Sequence, residues 1–222
     1  MKKKLCAAML ALLMVGSSAH SQNLLNETQE QKDKRMEWFY KAKLGIFIHW
    51  GVYAVKGVSE SWSFYNKYLP HDEYMKQCEG FTASKYDPKA WVELIKESGA
   101  QYTVLTTKHH DGVALWDTKQ NGISVVKNTP AKRDLVTPFV NEVRKAGLRL
   151  GLYYSLPDWS HPDYPNMTRT DVRYKDDPKR WDAFCKFNFG QLAELNNTYK
   201  PDLYWFDGDW EMSAETWRAK EI

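Results

Sequence analysis

The sequence predicts an α/β protein: a (β/α)8 TIM-type barrel, of which these residues supply about the first four strands. Two observations predict it. Four short apolar segments alternate with three amphipathic helical stretches, the rhythm of parallel strands joined by right-handed crossovers. Each apolar segment also ends in polar or aromatic residues, at the face where a barrel gathers its chemistry.

The first strand is "KLGIFIHWG" (43–51) and the second "QYTVLTTKHHDG" (101–112). The third is "LRLGLYYS" (148–155) and the fourth "PDLYWFDG" (201–208). All four are β-branched, aromatic or leucine-rich, and too short to be helices. Between them, "DPKAWVELIKESGA" sets Trp91, Leu94, Ile95 and Ser98 on one face, with Pro88 near its start and Gly99 at its end. "RDLVTPFVNEVRKAGL" aligns Val136, Phe139, Val140 and Val143 and stops at Gly147. "DDPKRWDAFCKFNFGQLAELNNTYK" aligns Trp181, Phe184, Asn188, Leu192 and Leu195, with Pro178 in its first turn. An open nucleotide-binding sheet would need a glycine-rich turn after its first strand. Here "HWGVYAV" follows, with neither GxGxxG nor a P-loop, which favours the barrel.

The strand ends are His49 and Trp50, His109 and His110, Tyr153 and Tyr154, and Asp207 with Asp209 close behind. Strict alternation would send His109 and His110 to opposite faces, but where the Asp111-Gly112 turn begins both can reach one cavity. In "DLYWFDGDWE" (202–211), Leu203, Trp205 and Asp207 share a strand face. A carboxylate so placed, flanked by Trp205 and Trp210, suits nucleophilic attack on an anomeric carbon. His49, His109 and His110 suit donors to sugar hydroxyls, with metal coordination and structural hydrogen bonding as the alternatives. Adjacent histidines share one ion poorly and no HxH or HExxH spacing is present, so no metal is expected. "SESWSFYNKY" (59–68) falls in the loop after the first strand, where Trp62, Phe64 and Tyr65 either wall a carbohydrate pocket or pack the loop down on itself. A GxSxG nucleophile elbow is missing. These features read as a carbohydrate hydrolase without a metal or organic cofactor.

Residues 1–22 have the layout of a signal peptide: Lys2, Lys3 and Lys4, a short apolar run, then small residues, with cleavage expected between Ala19 and Gln22. The apolar run is too short to span a bilayer, so the protein is expected to be exported, to the periplasm or the medium, and free of the membrane once cleaved. Cleavage takes the formal charge from +3 to about zero, which leaves no electrostatic footprint for nucleic acid. Only Cys78 and Cys185 then remain, either paired or free. Residues 23–222 form the expected barrel portion.

Four stretches, "KLGIFIHWGVYAV", "TTKHHDGVALW", "GLRLGLYYSLPDW" and "PDLYWFDGDW", resemble in order the signatures of α-L-fucosidases of glycoside hydrolase family 29. The resemblance covers roughly residues 33–217 and implies a retaining exo-glycosidase on a (β/α)8 barrel, acting on terminal α-L-fucosyl residues of glycans. It implies Asp207 as the nucleophile, His49, His109 and His110 as ligands of the fucose hydroxyls, and Tyr154, Trp205 and Trp62 as pocket lining. The family often has Glu-Trp in the first loop, whereas here Ser61 precedes Trp62 and Glu60 stands one further back.

Asp207, Asp209 and Glu211 also spell the end of the DxxDxDxE signature of family-18 chitinases, with Glu211 as the acid, but Tyr204 stands where that signature needs its first Asp. A retaining mechanism needs a second carboxyl group about 5 Å from the first. In the fucosidase family that group lies further along, so the chain is expected to be the N-terminal part of a longer catalytic domain. The remaining alternative is a half-domain that binds sugar without turnover.

Overall fold

The computed structural model describes residues 27–222; the expected leader and Cys6 lie outside them. Two compact units are distinguished. The first ends at Arg35, which is paired with Glu27; the second runs from Met36 to Ile222. Helix α1 (Gln29–Ala42) is absent from the sequence expectations. Its stretch QEQKDKRMEWFYKA has no apolar stripe, and its apolar anchors are Trp38 and Phe39, set against Tyr102 with ring centroids 6.1 and 5.6 Å away.

All four expected strands form within their spans: β1 (Gly45–Ile48), β2 (Tyr102–Lys108), β3 (Arg149–Ser155) and β4 (Leu203–Asp207). They are parallel, in the order β1-β2-β3-β4. Consecutive order with no reversal is that of successive strands in a (β/α)8 barrel, as expected, and not of a doubly wound sheet.

Register then sorts side chains between the faces. Phe47, Val104, Gly151 and Leu203 lie side by side across the sheet, as do Thr106, Tyr153 and Trp205 two residues on. With Asp207, they form the inner face. The outer face carries Ile48, Leu105, Leu152 and Tyr204 in register and is covered by helices. These are α2 (Pro88–Glu97), α3 (Val136–Lys145) and α4 (Pro178–Tyr199). Both α2 and α4 begin with Asp-Pro: Asp87 and Asp177 each cap a backbone N–H three residues on, and the proline fills a position that needs no donor. The α3 stripe of Val136, Phe139, Val140 and Val143 is buried as expected. In α2 the expectation needs correction: Val92 and Ile95 are buried, while Leu94 is 68 % exposed, because a step of 100° past the Ile95 face puts it on the solvent side.

The loop after β1 is not irregular. It folds into short helical turns, Trp62–Tyr65, His71–Met75 and Gln77–Gly80, which bury Phe64 and Tyr74. Cys78 and Cys185 are both buried and unpaired; burial pushes the Cys78 thiol up to about 12. Among the described residues, no helix is long and apolar enough to cross a membrane.

Strand β2 is irregular near its C-terminal end. Thr106 pairs with Tyr153, but the next pair is Lys108 with Tyr154, so β2 carries a bulge at Thr107. A bulge inserts one residue and re-aims its successors along the strand. Lys108 is thereby turned to the outer face, and His109 and His110 arrive together at the strand's end.

Candidate active site

The side chains at the C-terminal strand ends converge. From β4, Asp207 accepts a 2.5 Å hydrogen bond at Oδ2 from the Tyr153 hydroxyl of β3, and one at Oδ1 from the Gly208 N–H. The His109 ring stacks near-parallel on Tyr153 at 5.7 Å, and the His110 ring is 4.4 Å from it. From β1, the His49 ring stands 4.9 Å from His109 and 5.9 Å from Tyr153, with Nδ1 bonded to the Tyr53 hydroxyl at 3.0 Å. Both adjacent histidines thus reach one cluster, with His49, Tyr153 and Asp207.

The hydrogen-bond network sets the His110 tautomer. Ser155 Oγ lies 2.5 Å from the Pro157 carbonyl, which can only accept, so Ser155 donates there and accepts from His110 Nδ1–H, also at 2.5 Å. His110 Nε2 is then the unprotonated ring nitrogen. It is buried without a protein partner and stands 3.6 Å from Asp207 Oδ2. Burial holds His110 well below the usual imidazole range, despite the opposing pull of Asp207. Burial, with His110 and His49 as neighbours, does the same to His109, whose Nδ1 is tied to Ser61 Oγ. His49 is lowered by burial against the pull of Glu60 and Asp207. Neutral imidazoles can both donate and accept, as a polyol requires. Burial raises the Tyr153 phenol, which stays protonated and keeps its hydrogen on Asp207.

Trp205 lies on the inner face one pleat below Asp207, where Phe47 meets it edge-on at 5.4 Å. Trp62 stands over the His110 ring at 5.7 Å and near Trp159 at 5.1 Å. Tyr154, in contrast, is not in the pocket. Alternation turns it to the outer face, fully buried, where its hydroxyl meets Asn188 and Gln191 of α4 and accepts from Lys108 Nζ at 2.9 Å. Tyr153 takes the place expected of it. The tyrosine pair is plain in the sequence, but choosing between its members needs the register against Trp205.

The acid of the chitinase reading is also displaced. Glu211 is engaged by three donors, Trp159 Nε1 at 2.9 Å, Tyr164 OH at 2.5 Å and Asn166 Nδ2 at 3.1 Å. A carboxylate so occupied serves as a clamp between loops, not as a proton shuttle. Glu60, at φ +38°, brings its carboxylate 3.7 Å from His49 Nδ1.

Beneath the histidines lies a buried charged layer that sequence reasoning missed. Lys108 Nζ sits 3.8 Å from Asp158 Oδ2, and Asp111 accepts from the Tyr74 hydroxyl at 2.6 Å. Burial lowers Lys108 to about 8 and raises Asp111 to about 6. Asp158 Oδ1 takes the N–H groups of Ser160 and His161, while the Trp159 N–H holds the His110 carbonyl at 2.8 Å.

His109, His110 and Asp207 could offer ligand atoms within 4.8 Å of one another. One pair of them, His110 Nε2 and Asp207 Oδ2, stands at 3.6 Å, close to the roughly 3.4 Å between ligands of a tetrahedral zinc.

These protonation states carry a stability prediction. In the unfolded chain His109 and His110 protonate near 6.5, but the fold holds both below that value, so stability falls as pH drops through 6.5. Asp111 opposes this, since a carboxyl raised to about 6 stabilises the fold as pH falls below that value. Between pH 7.5 and 5.5 the two histidines lose about 3 kcal/mol and Asp111 returns about 1. Urea unfolding should therefore show a net loss of at least about 2 kcal/mol, since burial also lowers His49, His71 and His161. An unchanged midpoint would contradict the burial of neutral imidazoles.

Comparison with known proteins agrees with this geometry. The family model described as alpha-L-fucosidase matches residues 12–222. Tissue alpha-L-fucosidase of Bos taurus is 34 % identical over 201 residues, which is 83 % of this chain and 42 % of that protein. Alpha-L-fucosidase of Branchiostoma floridae is 35 % identical, over 95 % of this chain and 50 % of its own length. Among solved structures, alpha-L-fucosidase isoenzyme 1 from Paenibacillus thiaminolyticus superposes with a TM-score of 0.78 at 38 % identity, covering 85 % of this chain and 46 % of that one. A GH29 alpha-L-fucosidase from Bacteroides thetaiotaomicron, trapped as a covalent intermediate with 2-fluoro-fucosyl fluoride, does so at 0.69 and 36 %, covering 80 % and 42 %. The chain spans about half the length of the curated relatives it matches. With its parallel strand order and the convergence on Asp207, it belongs to the alpha-L-fucosidase family.

Proposed function

We propose that this chain is the N-terminal part of the catalytic barrel of an exported, retaining exo-α-L-fucosidase that removes terminal α-L-fucosyl residues from glycans. The observation that carries it is Asp207, a strand-end carboxylate oriented by Tyr153 and facing the unpartnered Nε2 of His110.

In this reading, Asp207 attacks the anomeric carbon while the bond to the glycosidic oxygen breaks and a carboxylic acid protonates that oxygen. The product is a fucosyl-enzyme ester. The same acid, now a base, deprotonates a water that attacks the anomeric carbon and frees Asp207. We assign the acid/base to a carboxyl outside this chain, because Glu211 is saturated and Glu60 is turned to His49. His110 Nε2 accepts from a fucose hydroxyl, and His49 and His109 complete the cradle. The trapped intermediate of the Bacteroides relative supports the covalent step.

The test is an aryl α-L-fucoside assay on the protein at its relatives' full length, with the first-formed anomer read by NMR. Release of α-L-fucose first is expected. First release of the β-anomer, or cleavage of chitin oligosaccharides but not of the fucoside, would refute the assignment.

A further inference from the structure

Three indoles surround the His110 ring, and they differ in what they leave open. Trp159 packs at 4.5 Å and is fully buried. Trp62 lies at 5.7 Å, half-buried. Trp210, at 6.2 Å, is 59 % exposed. Water around so large an apolar surface is costly, and a side chain free to move would fold down over its neighbours.

Trp210 is held in place by the residues on either side of it. The Asp209 carbonyl accepts from Trp217 Nε1 at 3.0 Å. Glu211 is clamped by Trp159, Tyr164 and Asn166. The turn itself starts at Gly208, whose φ of +82° suits glycine and where a Cβ would collide with Pro157. Trp62 flanks the Trp210 ring near-parallel, 16° off at 6.4 Å. A rigid turn therefore displays one indole face at the rim, three residues after the reacting carboxylate.

We propose that Trp210 is the platform for the leaving-group sugar, the ring that carries the departing oxygen, and that it makes the site prefer sugar leaving groups to small ones. This rests on the fucosidase reading above. In that reading the fucose ring sits on the floor built of Asp207, Tyr153 and the histidines, so the next ring lies toward the rim. A pyranose presents a face of polarised C–H groups that packs on the electron-rich face of an aromatic ring. A platform already immobilised loses little entropy when it is covered.

The experiment compares the full-length wild type with Trp210→Ala and Trp210→Phe on two substrates. One is α-L-fucosyl fluoride, whose leaving group is a single atom; the other is a fucosyl-N-acetylglucosamine disaccharide. Trp210→Ala should lower kcat/KM on the disaccharide by about ten-fold or more and on the fluoride by less than about two-fold, with Phe recovering most of the loss. An unchanged melting temperature is expected, since the ring is exposed. Equal losses on both substrates, or none on the disaccharide, would overturn the assignment to the leaving group. A wild type that cleaves neither substrate would instead reject the fucosidase reading itself.

Discussion

Asp207→Asn, in the protein at its relatives' full length, is expected to lower kcat on an aryl α-L-fucoside by about 10⁴-fold or more. The amide keeps the shape of the carboxylate and can still accept the Tyr153 hydroxyl, now 2.5 Å from Oδ2. What it loses is the oxygen able to form the glycosyl ester, which no neighbour replaces: Tyr153 stays protonated and Glu211 is engaged elsewhere. Fucose affinity should be retained, because His49, His109 and His110 are untouched. Single-turnover kinetics on the variant check this. A loss below about ten-fold would mean that another group attacks the sugar.

Gly112→Ala is expected to destabilise the fold by about 3–5 kcal/mol and to abolish fucose binding in whatever fraction remains folded. Gly112 has φ +79°, in the left-handed region, and an added Cβ would lie 2.2 Å from Asp158 Oδ1. That carboxylate has nowhere to retreat. Ser160 and His161 N–H groups hold one oxygen, and buried Lys108 faces the other at 3.8 Å. Pushing it aside leaves the ammonium without its counter-charge and pulls on Trp159, whose N–H anchors the His110 carbonyl. Urea unfolding and a fucose titration followed by tryptophan fluorescence measure both effects. Wild-type stability would show that the Asp158 packing is soft.

Much of the fold and site was legible in the sequence because the signals are local. Four apolar runs ending in polar or aromatic groups located every strand among the described residues, and Val136, Phe139, Val140 and Val143 located the buried face of α3. Asp207, His49, His109, His110, Trp205 and Trp62 are the candidates that strand ends and the resemblance name, and the structure brings them together at one end of the sheet. The failures share a cause: they depend on contacts across the sheet. Whether Tyr153 or Tyr154 enters the pocket follows from pairing with Trp205 and Phe206. Nothing local in the sequence marks Lys108, and only the bulge and its encounter with Asp158, fifty residues on, bury it. Glu211 carried a catalytic motif until its three donors were placed around it. Helix α1, lacking an apolar stripe, left no periodic signal.

The bulge at Thr107 has a chemical consequence as well as a geometric one. Had β2 continued in phase from Thr106, Lys108 would project toward the same side as Tyr153 and Asp207. A lysine ammonium there would lie against the Asp207 carboxylate and, in the proposed reaction, draw off the electron density with which it would attack. Shifting the strand by one residue puts that cation behind the sheet, with Tyr154, Asn188 and Asp158, and fills the front with imidazoles held uncharged. One extra peptide unit thus separates the cation that braces the scaffold from the Asp207 carboxylate, and in the proposed reaction leaves that carboxylate free of an ion pair with a lysine.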